Sequence, residues 1–85
     1  MIKLLTVDDE LDVCDFIRDF FTSRGYSVLL ALTGKEALAV VKKESPKIVF
    51  LDIVMPDISG LEVLRQVKEF DPSIKVIMVS VADDK

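Results

Sequence analysis

The sequence predicts an α/β fold, a parallel sheet with helices on both faces, and three observations carry that reading. Four short apolar runs alternate along the chain with three segments whose apolar residues recur at three- and four-residue spacing. The runs are continuous rather than alternating with polar residues, as in strands covered on both faces. The 85 residues contain no internal repeat, low-complexity stretch or Pro/Gly/Ser-rich linker, so all four strands fall within one unit, residues 1–85.

Each element has its own signature. Lys3 to Val7 (KLLTV) is a short apolar run that ends in three acids, Asp8-Asp9-Glu10. Val13, Phe16, Ile17, Phe20 and Phe21 then recur at helical spacing, which predicts a helix from about Glu10 to Arg24, stopped by Gly25. Ser27 to Leu32 (SVLLAL) reads as a second buried strand. Thr33 and Glu36 have the spacing of a capping box for a helix through about Glu44, closed by Ser45-Pro46. Ile48 to Leu51 (IVFL) is a third strand ending at Asp52, and a turn-rich stretch runs from Val54 to Gly60. Ser59 and Glu62 repeat the capping spacing, and Leu61, Val63, Leu64, Val67 and Phe70 supply the apolar face of a helix that Asp71-Pro72-Ser73 ends. Lys75 to Val79 (KVIMV) is the fourth strand.

Composition excludes several kinds of chemistry. A single cysteine, Cys14, rules out an internal disulfide and any CxxC motif, and the absence of histidine removes His-based acid/base catalysis and ordinary zinc cages. A net charge of -4 argues against this segment gripping nucleic acid or anionic lipid by itself. The apolar runs are far too short to cross a membrane, and no basic region precedes an apolar leader, so a cytoplasmic location is expected. The small partner best suited to this chain is a cation.

In open parallel sheets ligands bind beyond the carboxyl ends of the strands, where the strand order reverses. Polar residues stand there after three of the runs: Asp8 and Asp9, Asp52, and Ser80. Singly, each has an ordinary explanation, since Asp8 or Asp9 can cap the next helix, Asp52 can be a turn acid and Ser80 a strand-end hydroxyl. Together, three converging carboxylates repel one another and raise some of their own pKa values unless a cation is present. All-oxygen ligation suits Mg²⁺, with Mn²⁺ as a substitute. Such a metal neutralises incoming phosphoryl oxygens, which makes Asp52 a candidate phosphoryl acceptor; Ser80 and the N–H groups after Asp52 can donate to the transferred group.

These residues, as a spaced set, resemble the receiver (CheY-like) domain of bacterial two-component response regulators. The resemblance rests on Val7-Asp8-Asp9-Glu10, Leu51-Asp52-Ile53-Val54-Met55-Pro56, Gly60 eight residues beyond Asp52, and Ser80. It implies a flavodoxin-like sheet of order 2-1-3-4 and a phosphoryl group passed to Asp52 from the histidine of a sensor kinase or phosphotransfer protein. Mg²⁺ would be held by Asp9, Asp52 and the backbone carbonyl of Val54, with Asp8 helping directly or through water. Ser80 would be the switch hydroxyl. The protein would be a phosphoacceptor that assists its own phosphorylation, not a turnover enzyme.

Two departures from the family pattern stand out. Val81 occupies a position where the family usually has a small alanine. The family's fourth helix, fifth strand and fifth helix, with the lysine that contacts the phosphoryl group, would come after Lys85, so the resemblance implies a receiver truncated at its C-terminus. Lys85 follows Ser80 too closely to be that lysine.

Two rival readings remain. An aspartate-nucleophile phosphatase shares the strand-end carboxylate and Mg²⁺, but it places a second Asp two residues after the first, where this chain has Val54. A binding or dimerisation module without phosphotransfer would self-associate along the exposed edge of the fourth strand. Cys14, Phe16, Phe20 and Phe21 read as core by their spacing, Lys42-Lys43 as a solvated helix end, and Met55-Pro56 as shaping the loop under Asp52. By the resemblance, the partner docks on the first helix, near Asp12, Asp15 and Arg18.

Overall fold

The computed structural model describes residues 1–55 and 57–79; the expectations for Pro56, Ser80, Val81 and Lys85 lie outside the described residues. The elements follow the expected order: β1 (Lys3–Val7), α1 (Leu11–Thr22), β2 (Ser27–Ala31), α2 (Gly34–Glu44), β3 (Ile48–Asp52), α3 (Gly60–Phe70) and β4 (Lys75–Val79). All strand pairs are parallel, in the order β2-β1-β3-β4. The chain leaves β1 toward β2 on one side and returns to β3 on the other, so the order reverses between β1 and β3.

The period of two along each strand sorts the core into two layers. On one face Leu5, Val7, Ala31, Val49 and Leu51 meet Ala37 and Val41 of α2, Val63 and Val67 of α3, and Ile74. Leu4 and Thr6 alternate with Leu5 and Val7 and so face the other way, toward α1, whose Cys14 is fully buried. There Phe21 packs on Phe50 at 5.3 Å and edge-on to Tyr26 at 5.5 Å. Each fully buried Leu or Val contributes about 1.5–3 kcal/mol of transfer free energy, which makes the α2/α3 layer the denser source of stability.

Local chemistry sets the helix ends. Thr33 and Ser59 each accept a hydrogen bond from the N–H three residues on, Glu36 and Glu62, at 3.1 and 3.2 Å. Neither capping box closes in return. Glu36 instead accepts from Leu32 N at 2.8 Å, and Glu62 binds Arg65 and Gln66 along its own helix. α1 starts one residue later than expected because Glu10 is extended, and it ends two residues earlier, at Thr22. The chain then closes with Gly25 at φ 91°, Gly25 N donating to Thr22 O and Tyr26 N to Phe21 O. β2 ends at Ala31 rather than Leu32, whose N–H is taken by Glu36.

Several burial expectations need correction. Among the described residues β2 and β4 are the outer strands and are mostly half-exposed, whereas β1 is buried from Leu4 to Val7. None of the three α1 phenylalanines is fully buried: Phe21 is half-buried on Phe50, whereas Phe16 is 71% and Phe20 41% exposed, stacked on each other at 6.5 Å. α1 packs on β1 and β2, whereas α2 and α3 also pack on each other, so the part of the α1 apolar stripe turned away from the sheet is left exposed. Leu61 and Phe70 of α3 are likewise exposed, with Val63 and Val67 filling the core.

Candidate functional site

The register of the sheet creates the site. Val7 of β1 is opposite Leu51 of β3, so the residues that follow, Asp8 just past β1 and Asp52 at the last position of β3, stand side by side at the sheet edge. One carboxylate oxygen from each of Asp8, Asp9 and Asp52 lies within 4.8 Å of the others. Oxygens around an octahedral Mg²⁺ are about 3–4 Å apart, so the three carboxylates fit that ion with a small inward adjustment. The donor set is hard, anionic and all-oxygen, as Mg²⁺ requires.

The three acids differ in their surroundings. Asp8 is buried, Asp52 half-buried and Asp9 exposed. The main chain of Asp8 is fixed by its N–H donating to Ala31 O at 3.1 Å, and its carboxylate accepts from Glu10 N at 2.9 Å. Burial pushes the Asp8 carboxyl pKa up; the Glu10 N–H opposes this, and the charges of Asp52, Asp9 and Glu10 add to it. Among the described residues no cation is among the groups that act on Asp8. The Asp52 carboxylate receives a long contact, 3.4 Å, from Val54 N. Cys14 lies behind the site, its thiol donating to Asp8 O at 3.5 Å and raised in pKa by burial and by the Asp8 charge. The core reading of Cys14 holds.

The loop after β3 is folded back on itself. Gly60 N donates to Ile53 O at 2.8 Å. A Cβ at Gly60 would press on the carbonyl of Asp52 and lie 2.8 Å from Ile53 Cα, so this position takes only a hydrogen as its side chain. Val54 stands in this loop, exposed, and Met55 packs toward the core as expected of a loop-shaping residue. β4 ends at Val79, which pairs with Asp52.

One residue was not singled out by sequence reasoning. Asp57 reaches from this loop to the start of α2, its two oxygens accepting from Gly34 N at 3.0 Å and Lys35 N at 2.9 Å. Those two N–H groups hold its carboxyl down at about 2. Ile58 covers Gly34 beside it. Asp57 thus ties the loop that follows Asp52 to a helix 22 residues earlier. The only sequence signal was an acid within a turn-rich stretch, with nothing local to indicate its partner.

On α1, Arg18 pairs with Asp15 at 3.2 Å and with Asp19 at 3.4 Å, and Asp12 is exposed. Lys42 and Lys43 are exposed at the end of α2, as expected.

Comparison with known proteins agrees with this architecture. The response regulator receiver domain family matches residues 4–85. The chain is 36% identical over 78 residues to sporulation initiation phosphotransferase F of Bacillus subtilis, covering 92% of this chain and 63% of that protein. It is 35% identical over 82 residues to the response regulator MprA of Mycolicibacterium vanbaalenii, covering 96% of this chain and 36% of that one. The chain thus spans only part of the curated relatives it matches. Among solved structures, a CheY-like receiver domain protein from Methanospirillum hungatei superposes with a TM-score of 0.94 at 31% identity, over 99% of this chain and 67% of the other. The response regulator TrrA of Thermotoga maritima, solved in complex with Mg²⁺-BeF, gives 0.91 at 32% identity, over 98% and 72%. With its parallel β2-β1-β3-β4 sheet and a family match along nearly its whole length, the chain belongs to the response regulator receiver domain family.

Proposed function

We propose that this receiver domain is a phosphoacceptor: Asp52 takes a phosphoryl group from the phosphohistidine of a sensor kinase or phosphotransfer protein. The observation that carries the reading is the convergence of Asp8, Asp9 and Asp52, with carboxylate oxygens within 4.8 Å of one another at the strand-order reversal. A carboxylate oxygen of Asp52 attacks phosphorus, the P–N bond of the donor breaks, and its electron pair returns to the imidazole of the partner. Asp9, Asp52 and the Val54 carbonyl would hold Mg²⁺, and Asp8 would join them directly or through water. Held there, Mg²⁺ would supply the positive charge that an incoming phosphoryl group needs in an already anionic pocket. Ser80 is assigned the switch hydroxyl on resemblance alone.

The relative solved with Mg²⁺-BeF supports the choice of metal, and Mn²⁺ is expected to substitute because it accepts the same oxygen donors. The chain itself completes one phosphorylation per molecule and is not a turnover enzyme. A cytoplasmic location is part of the same reading; among the described residues no helix is long and apolar enough to cross a membrane. The module that only self-associates along the β4 edge has no observation in its favour over phosphotransfer.

The test is incubation with a small acyl phosphate and Mg²⁺ or Mn²⁺, with Asp52→Asn in parallel. Incorporation of at most one equivalent, lost in Asp52→Asn and in chelator, is expected. Equal labelling of both proteins would sink the assignment, and release of many equivalents of phosphate would point to the phosphatase instead.

A further inference from the structure

We propose that the outer edge of β2 and the adjoining face of α2 form a self-complementary surface, and that its occupant is a second copy of this chain. This inference does not rest on the phosphoacceptor reading.

The first observation concerns the edge. Among the described residues β2 pairs only with β1. Ser27 N donates to Ile2 O at 2.9 Å and Ala31 O accepts from Asp8 N at 3.1 Å, so the odd-numbered residues turn their peptide groups inward. By alternation, those of Val28 and Leu30 point out of the sheet. Edge strands are usually blunted by Lys, Pro or a bulge, yet β2 reads Ser-Val-Leu-Leu-Ala, whereas β4 at the opposite edge opens with exposed Lys75.

The second observation is the groove beside that edge, about 260 Å³, floored by Leu29, Ala39 and Val40 and bounded by Glu36 and Lys43. Residues 36, 39, 40 and 43 recur at helical spacing and share one face of α2, an acid at its start and a base at its end. Lys43 makes none of the ion pairs found among the described residues, and Glu36 has one oxygen engaged, by Leu32 N.

A two-fold axis at Leu29 satisfies both observations at once. Antiparallel pairing sets Val28 against Leu30 of the second copy, which exchanges two N–H···O bonds at each of two symmetric positions. The Leu29 side chains then face each other across the seam. The two α2 helices run antiparallel above it, bringing Glu36 of each copy to Lys43 of the other. Such a two-fold contact is closed and ends at the dimer. The contact rests on a five-residue edge strand and one face of a single helix, so the dimer is weak.

Sedimentation equilibrium from micromolar to millimolar protein tests this. The whole chain should show a concentration-dependent dimer. Lys43→Glu and Glu36→Lys should each weaken it about tenfold or more, because like charges then meet across the axis, and an equimolar mixture of the two variants should restore it as a heterodimer. Leu30→Pro removes an outward donor without removing a ladder bond and should also abolish the dimer. A wild-type protein that stays monomeric throughout overturns the proposal. So does a mixture that associates no better than either variant alone, or a Leu30→Pro protein with native circular dichroism and unchanged association. If Leu30→Pro does not fold, the charge-swap mixture decides alone.

Discussion

Asp8 and Asp57 are carboxylates at the same end of the sheet with opposite environments. Asp8 is buried, receives one N–H, and faces the charges of Asp52, Asp9 and Glu10, so its pKa is raised. Asp57 is exposed but receives two N–H groups at the start of α2, and is held at about 2. The difference lies in the donors: where N–H groups meet the demand of a carboxylate, the acid is a strut, and where carboxylates outnumber donors, the acids form a place for a cation. The lesson extends to Asp52, which among the described residues receives one long contact, from Val54 N, and so keeps most of its acceptor capacity for a ligand.

The contrast is broken most severely by exchanging charge for amide on each side. Asp52→Asn should reduce phosphoryl incorporation from an acyl phosphate to background, whereas Asp57→Asn should keep most of it; the check is covalent labelling of the intact protein. Gly60→Ala comes next, because the new Cβ meets main chain at Asp52 and Ile53 rather than a side chain that can move. It should cost about 3 kcal/mol in urea unfolding. Gly25→Ala, strained by φ 91° but with open space around it, should cost about 1 kcal/mol.

Magnesium sharpens the comparison. At a concentration about 100 times its Kd it should stabilise the fold by about 2.7 kcal/mol, seen as a rise in Tm. That rise should be lost in Asp9→Asn and kept in Asp57→Asn. The smallest effects are pH dependences of the chelator-treated protein. For Asp8 the folded pKa is raised, so its contribution is fully present below 3.8 and is lost as pH rises through the folded value. Asp8→Asn should therefore raise Tm at pH 7 and leave it unchanged at low pH. For Asp57 the folded pKa is depressed, so its contribution is present above 3.8 and lost as pH falls toward about 2. The Asp57→Asn protein should melt slightly below wild type at pH 7 and converge with it in acid.

Most of the fold was legible because it is written in local periods. All seven elements appear in the expected order, and Lys75–Val79 has the expected bounds. Asp8, Asp9 and Asp52 were recognisable as a group because strand ends in a parallel sheet share one edge, and the register that pairs Val7 with Leu51 brings them together. Burial was less legible. Phe16, Phe20 and Phe21 have equivalent spacing, yet only Phe21 finds a partner in the sheet, Phe50, while Phe20 lies under Arg24 with the guanidinium 3.8 Å from its ring.

By itself, then, the sequence determined the element order, the fold class and the acids of the site, since apolar periodicity, capping residues and strand-end polarity act within a few residues. Tertiary structure decided the order of the strands in the described sheet, which phenylalanine packs on it, why Gly60 must lack a side chain and what Asp57 does. Each of these depends on a contact between segments far apart in the chain, such as Asp57 with Lys35 or Phe21 with Phe50. No local pattern encodes the partner in such a contact, because it is chosen only when the helices pack on the sheet.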